Sequence, residues 1–433
     1  MIKIERSFYL KLLLITTWSS LFLSINLNPI DFLYFNLINK IRIILPFFLI
    51  IILIIFKYKE IKISNFLNIY SFSFYIIFFL YIIFTITFRE NNILNIFWPL
   101  YMFLSFFILH NLTNNKEKKD LFVLTILIIA TGFIFYMALG LTDLISRHQY
   151  HFYGIMGGKE GYLGFSNPPR SSGLARLALI LFFFLIYQYL IKDKKNNYIY
   201  LILIVSLGTF SLIFQSRTVS FIYITLNIFI ILFYFKMFFK DKWLLVFAVI
   251  LPLLINLSYN YNILLHNNSQ KLEKNKIKKE TLLVTAFENV ILRNHNNLKK
   301  NPDKFSSDRF HNWDLAINII KKNYLKGYGA QADRVLIGQS IHNSILYSTL
   351  SGGLFSGLSI IFIYISSLIL LIKFYLSGAY KLCNNPLVHF SGSVLIIICL
   401  RSVLETSFAV FSIDFLIFII AFLFFNDHLK RYQ

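Results

Sequence analysis

The chain has 433 residues, of which 57% are hydrophobic, 18% aromatic and 14% charged, and its formal net charge is +22. This composition excludes an ordinary soluble globule, and the apolar runs do not alternate over about ten residues as the strands of a membrane barrel do. Because the positive charge lies mostly in short clusters beside the apolar runs, it indicates membrane topology rather than nucleic-acid binding, and we expect an all-α polytopic integral membrane protein.

About twelve apolar runs have the length, roughly 17–25 residues, that a helix needs to cross a bilayer core of about 30 Å. The predicted spans are residues 8–27, 41–57, 66–88, 93–111, 121–141, 173–191, 198–215, 219–239, 243–259, 353–375, 387–404 and 409–426. The first run lacks a small-residue cleavage site and predicts a retained helix rather than a signal peptide. With the N-terminus in the cytoplasm, every cytoplasmic connection carries at least two basic residues, as the positive-inside bias requires. We therefore expect both termini in the cytoplasm.

Two external connections are much longer than the others, at about residues 142–172 and 260–352, and long loops are usually functional. The second contains SSDRFHNWDLAINIIKKN, whose apolar residues recur at helical spacing. The face predicted for this helix consists of Phe310, Trp313, Ile317 and Ile320. Gly327 and Gly329 predict a turn that ends it.

The sequence offers little that would hold a metal or a nucleotide. GIMGGKEG at 154–161 fails as a phosphate-binding loop, because Glu160 stands where Ser or Thr is required. His148 and His151 provide two metal ligands without a third nearby, and we interpret them as loop histidines. The external connections contain no acidic pair of the type that holds Mg²⁺ against a sugar nucleotide. We expect neither a metal nor a cofactor.

Five arginines lie where predicted spans meet the external side of the membrane. They are Arg170, Arg176, Arg217, Arg309 and Arg401. The guanidinium group is a planar and permanently charged donor that matches phosphate oxygens, so several of them at one membrane face could clamp a pyrophosphate. Singly, each is equally compatible with a lipid headgroup contact or with snorkelling. Arg401 and Glu405 are four residues apart on a helix and could simply pair with each other.

His342 is the best acid–base candidate in the chain. An unperturbed imidazole has a pKa of about 6.5 and can accept a proton at working pH. From the residues alone, a lone histidine at the start of an apolar run is also compatible with a structural role.

The segment that contains His342, IHNSILYSTLSGGLFSG, resembles the His-Asn-x-x-Leu…Gly pattern of the O-antigen ligase/polymerase superfamily of bacterial membrane glycosyltransferases. DRFHNWDLAINIIKKNYLKGYG is similar to that family's Arg…Trp…Ala…Gly-x-Gly segment, and QSRTVS to its Ser-x-Arg element. The motifs that carry the resemblance lie in residues 205–222 and 305–356. In the rest of the chain, the resemblance is in the predicted membrane topology. The chain departs from the pattern at Ser351, where the family often has an acidic residue whose role could have moved to Glu405. Asn-Tyr-Leu at 323–325 also replaces the commoner Asn-Pro-Leu.

The resemblance implies a GT-C-like fold in the bacterial inner membrane, with the two enlarged loops in the periplasm and the active site in the larger one. It implies metal-independent, inverting glycosyl transfer from a glycan linked through pyrophosphate to undecaprenol. The catalytic residues would be His342, Arg309 and Arg217. The substrate-binding residues would be Arg170, Arg176, Arg401, Glu405, Asn343 and Trp313.

Three functions are compatible with the sequence. A polymerase joins lipid-linked repeat units, whereas a ligase transfers the finished chain to lipid A-core; the segment GG…NPPRSSG in the first loop favours the polymerase. A lipid-linked oligosaccharide flippase would instead place charges within the spans and break its helices with Gly and Pro. The expected partners are the lipid-linked glycan, membrane lipid, and a chain-length regulator and flippase of the same pathway, with no nucleic acid.

Overall fold

The computed structural model describes residues 6–24, 69–88, 90–146, 171–191, 198–214, 216–237, 242–272 and 309–430, together with positions 48, 51, 52, 55 and 239. All regular structure in these ranges is helical. The predicted span 41–57 lies almost entirely outside the described residues. Arg170, His148, His151, most of the first predicted loop and residues 273–308 of the second also lie outside them.

Fourteen α-helices make up the described part of the chain. They are α1 (Arg6–Ser24), α2 (Ile69–Thr87), α3 (Phe97–Asn111), α4 (Asn115–Ser146), α5 (Ser171–Ile191), α6 (Tyr198–Ile213), α7 (Arg217–Phe233), α8 (Trp243–Leu272), α9 (Arg309–Lys322), α10 (Ala332–Leu336), α11 (Ser344–Leu376), α12 (Ala379–Leu382), α13 (Pro386–Leu404) and α14 (Ile413–Leu429). Short 3₁₀ turns precede α3 and α14. By length and composition, α4, α5, α8, α11 and α13 could each cross a membrane, and α2, α6 and α7 are shorter apolar helices. The fold is therefore an all-helical bundle with the character of a membrane-embedded protein.

Each predicted span in the described part overlaps one of these helices, but three helices are longer than predicted. The helix α4 starts at Asn115 rather than 121, because Asn114 and Glu117 each accept a 2.8 Å hydrogen bond from the other's backbone N–H. This reciprocal capping box begins a helix in polar sequence. The helix α8 continues past 259 into the predicted loop, and α11 begins at Ser344 rather than 353.

The C-terminal helix α14 lies at the centre of the bundle. Every side chain from Ile413 to Asn426 is buried, as expected of a helix that is apolar on all sides. It packs against α13, α4 and α3. Phe418 stacks on Phe408 of the preceding turn with ring centroids 4.4 Å apart. One carboxylate, Asp414, enters the bundle with this helix and is 1% exposed.

The helix α11 is kinked at Gly353, which has φ 71° and ψ −176°. At the kink, the N–H of Leu354 donates to a carbonyl of segment 324–329, and the carbonyl of Leu350 accepts from an N–H of the same segment. Three backbone hydrogen bonds of 2.8–2.9 Å join this segment to the helix. They satisfy the groups that the kink releases from the helical pattern. The kink is therefore held by tertiary contacts, and the predicted span start at 353 falls on it.

The prediction that Gly327 and Gly329 end α9 is wrong, because α9 ends at Lys322. Both glycines instead allow close backbone contact. A Cβ atom at Gly327 would lie 2.2 Å from the carbonyl oxygen of Ser351, and Gly329 has φ +83°. Only glycine fits such positions without moving the backbone.

The face predicted for α9 is only partly correct. Ala316 is buried, and Trp313 and Ile320 pack around it. Phe310 and Ile317 are 52% and 36% exposed. The helix packs on α11 through a face rotated from the predicted one, since Asn312 is also buried.

Candidate functional site

The start of α11 and the end of α13 meet at a histidine–glutamate pair. Nδ1 of His342 lies 2.7 Å from Oε2 of Glu405. Beside this pair, Ser344 Oγ donates to the Glu405 carbonyl at 3.1 Å, and Asn343 Nδ2 donates to the Val403 carbonyl at 3.0 Å. Three contacts thus fix the loop before α11 against the C-terminus of α13.

His342 has an unusual backbone conformation, with φ +55°. Among the described residues, Gln331 is the other non-glycine residue in this left-handed region. Such conformations cost about 1–3 kcal/mol and concentrate at functional sites. The surroundings of His342 must therefore hold it in place.

Glu405 also pairs with Arg309, whose Nη2 lies 2.9 Å from Oε1. Burial raises the pKa of Glu405, but the hydrogen bond with His342 and the positive charges of Arg401, His342 and Arg309 outweigh it and lower the pKa to about 2. The carboxylate therefore stays ionised at all physiological pH values, with one oxygen on the imidazole and the other on the guanidinium group.

This geometry sets the role that His342 can play. When Nδ1–H donates to the Glu405 carboxylate, Nε2 carries a lone pair and can accept a proton. Among the residues that the structure describes, no group is hydrogen-bonded to Nε2, and the side chain is 33% exposed. An ionised carboxylate behind the imidazole stabilises the imidazolium that forms on proton uptake. The pair has the geometry that a general base and an orienting carboxylate require.

A second charged cluster lies behind this pair, where α5, α13 and α14 meet. Arg176 Nη1 lies 2.8 Å from Oδ1 of Asp414, and Arg401 pairs with Oδ2 of the same carboxylate. Arg401 also donates to Ser407 Oγ at 3.3 Å. A direct pair between Arg401 and Glu405 does not form in the structure, although the charge of Arg401 acts on that carboxylate. Arg176 and Arg401 therefore connect α5 and α13 to α14 through the Asp414 carboxylate.

Arg217 begins α7 and lies close enough to Arg309 for their positive charges to oppose each other. The structure therefore brings four predicted arginines to one end of the bundle: Arg176, Arg217, Arg309 and Arg401. We call this the site end. Among these described side chains, the four guanidinium groups and the carboxylates of Asp414 and Glu405 together carry two more positive than negative charges.

Two predicted substrate-binding residues have internal partners instead. Asn343 caps α11, because its Oδ1 accepts from the N–H of Leu346 at 2.9 Å while its Nδ2 is bonded to Val403. The indole N–H of Trp313 donates to the Ile341 carbonyl at 2.7 Å. Both side chains shape the backbone around His342.

Two buried carboxylates at this end were not predicted as site residues. Asp414 stands inside the apolar run that forms α14, and an ionisable residue at such a position is a signal that could have found it. Asp333 in α10 is 2% exposed, and its charge acts on His342. Its sequence surroundings, GAQADRVLIG, are those of an ordinary polar loop.

Comparisons with protein-family models, with curated proteins and with solved structures find no match to this chain. The donors at the site end are mainly guanidinium groups, which bind anions. Among the described residues, no group of three or more His, Cys, Asp or Glu side chains is placed to hold a metal ion.

Proposed function

We propose that this chain is an O-antigen polymerase, a membrane glycosyltransferase that joins repeat units linked through pyrophosphate to undecaprenol. One observation carries the proposal: the Glu405-oriented imidazole of His342 lies beside Arg309 at an end of the bundle with excess positive charge. This combination suits a reaction that removes a proton at one point and releases an anionic leaving group at another.

In the proposed step, Nε2 of His342 takes the proton from a hydroxyl group of the acceptor sugar. The hydroxyl oxygen then forms a bond to the anomeric carbon of the donor, while the bond from that carbon to the diphosphate oxygen breaks. Attack from the side opposite the diphosphate inverts the anomeric configuration. Glu405 stabilises the imidazolium and remains ionised throughout, consistent with its low pKa.

The arginines supply the electrostatic part of the step. Negative charge grows on the diphosphate as the bond to the sugar breaks, and guanidinium groups already in place stabilise it without reorganisation. Arg309 shares the Glu405 carboxylate with His342, and the positive charge of Arg309 acts on Arg217. The proposed donor is therefore held without a metal ion.

Two lysine contacts at the opposite end of the bundle support the orientation of the proposed enzyme. Lys118, at the start of α4, pairs with Asp427 at the end of α14, which is the end of that helix opposite the site end. Lys242 lies at the start of α8 and donates to the carbonyls of Tyr189 and Leu190 at the end of α5. Lysines at one end and arginine–carboxylate clusters at the other fit a cytoplasmic and a periplasmic face.

The full arrangement is part of the proposal. It comprises a multi-pass protein of the bacterial inner membrane with about twelve spans, a GT-C-like fold, cytoplasmic termini and two large periplasmic loops. Its partners would be a chain-length regulator and a flippase of the same pathway. The choice of a polymerase over a ligase rests on the segment GG…NPPRSSG, which lies mostly outside the described residues.

The test is a gel of surface lipopolysaccharide from a strain that lacks this gene, complemented either with the wild-type gene or with His342→Ala. A polymerase predicts core carrying a single repeat unit in the deletion strain and in the His342→Ala strain, and a full ladder with the wild-type gene. Bare core with long chains on the lipid carrier would identify a ligase. An unchanged ladder in the deletion strain would contradict both.

A further inference from the structure

We infer that Asp333 and Trp313 are positioning residues that clamp the backbone of Ile341, one at its N–H and the other at its carbonyl, and thereby set the orientation of His342. The catalytic consequence rests on the proposed function, whereas the clamp itself is a property of the fold. Neither residue reaches the reacting atoms in this account.

The clamp consists of two hydrogen bonds to one residue. The Ile341 carbonyl accepts from Nε1 of Trp313 on α9 at 2.7 Å, and the Ile341 N–H points to Oδ2 of Asp333 on α10 at 3.4 Å. The Ile341 side chain is completely buried and packs with Ala316 and Leu350. Backbone donor, backbone acceptor and side chain of Ile341 are thus all held by other elements.

The Asp333 carboxyl group makes a further hydrogen bond. Its second oxygen accepts from the backbone N–H of the next residue, Arg334, at 2.9 Å. A carboxyl group that is 2% exposed is costly to bury, and burial raises its pKa against the opposing charge of Arg334. The buried carboxyl group nevertheless directs Oδ2 toward the Ile341 N–H, one residue before His342.

His342 needs such support because it directly follows the clamped residue. Its φ of +55° is one that residues with a Cβ rarely adopt, and its imidazole must meet Glu405 at 2.7 Å. Without a fixed Ile341 carbonyl, the peptide between Ile341 and His342 can rotate toward an ordinary conformation. The imidazole would then leave the carboxylate.

The experiment compares the purified full-length protein with Trp313→Phe, Asp333→Ala and their double variant. Trp313→Phe deletes the donor and keeps an aromatic ring. Val335→Ala is the matched control, because Val335 lies on α10 beside Asp333 but is 40% exposed. Two quantities are measured: hydrogen–deuterium exchange of peptides that cover 337–346, and the steady-state constants for transfer from a lipid-diphosphate donor.

The clamp predicts faster exchange of this segment in both single variants, even though Trp313 bonds the carbonyl and not the N–H. It predicts that kcat falls about 10- to 100-fold while the KM for the donor changes less than about twofold, since orientation is lost and donor contacts are kept. The two substitutions should be non-additive, because both release the backbone of the same residue, Ile341. The control should match the wild type.

The inference is overturned if Trp313→Phe keeps wild-type exchange and kcat at an unchanged melting temperature. Should Asp333→Ala fail to accumulate, Trp313→Phe alone decides. A wild-type protein without transferase activity would end the proposed function, and the exchange measurement would still show whether the clamp exists.

Discussion

At the scale of single residues, the proposed catalysis depends on the Glu405 carboxylate that is bonded to His342. His342 and Glu405 are 63 positions apart in the chain and 2.7 Å apart in the structure. A carboxylate on Nδ1 selects the tautomer that leaves Nε2 free to accept a proton. Arg309 holds the other carboxylate oxygen at 2.9 Å, so Glu405 cannot rotate away from the imidazole.

Replacing Glu405 with Gln tests this role directly. The amide keeps the shape of the side chain but loses the charge that stabilises the imidazolium, and it presents N–H donors to Arg309 or to His342. We expect transferase activity to fall about 100-fold or more. The matched control is Asp427→Asn, because Asp427 is a partly buried carboxylate that pairs with Lys118 at the opposite end. Equal activity in both variants would remove Glu405 from the mechanism.

The same carboxylate predicts a pH dependence of stability. Its pKa is lowered from 4.5 to about 2 in the folded protein, so the unfolded state binds the proton more tightly than the folded state. The stabilisation is fully present above pH 4.5 and is lost as the pH falls through about 2. The difference in melting temperature between wild type and Glu405→Gln should therefore shrink steadily below pH 4.5. A difference that stays constant from pH 6 to pH 2 would show that the charge contributes nothing.

At the scale of elements, the sequence predicted which segments are helical, but it did not predict the kink in α11 or its hydrogen bonds to segment 324–329. Apolar runs indicate helices because a buried backbone must satisfy its own hydrogen bonds. The kink in α11 has a different cause, since its hydrogen bonds go to segment 324–329. Nothing in the apolar pattern shows that Gly327 and Gly353 would meet. The sequence likewise predicts α14 only as the last span. An apolar helix has the same sequence pattern whether it lies at the centre of the bundle or faces lipid.

The kink predicts that Gly327→Ala is strongly destabilising. The new Cβ atom would lie 2.2 Å from the Ser351 carbonyl oxygen and 2.6 Å from the Gly352 nitrogen, and backbone atoms cannot rotate away as a side chain can. We expect a clearly lower melting temperature and a loss of activity, since the segment leads to the His342 loop. Gly173→Ala is the control, because no described atom beyond its neighbours and its own helix backbone lies within 4 Å of its added Cβ. If Gly327→Ala melts with the control, segment 324–329 does not lie across the kink.

The cluster at the junction of α5, α13 and α14 predicts an order of stability among charge variants. Asp414 is 1% exposed and is the shared ion-pair partner of Arg176 and Arg401. Asp414→Asn leaves two buried guanidinium groups without a counter-charge, at a cost of about 3–5 kcal/mol. Arg401→Gln leaves a matched pair between Arg176 and Asp414 and should cost less. Thermal unfolding in nanodiscs gives the order, and an Asp414→Asn variant at least as stable as Arg401→Gln would contradict it.

At the scale of the whole molecule, composition was enough to predict an all-helical protein with membrane character, which the described residues confirm. The positions of the arginines relative to the apolar runs placed four of them at one end, because topology alone fixes the end at which a span begins. Topology does not determine which side chains pair with each other. The pairing of Arg401 with Asp414, and the internal bonds of Asn343 and Trp313, follow from side-chain packing that one sequence does not reveal.

The most direct measurement is transfer by the purified protein in nanodiscs, with a polyprenyl-diphosphate-linked oligosaccharide as both donor and acceptor. The account predicts a longer glycan on the lipid carrier, release of polyprenyl diphosphate, inverted anomeric configuration, and no product with His342→Gln at wild-type folding. Product formation that survives His342→Gln, or a folded wild-type protein that forms no product from such donors, would contradict it.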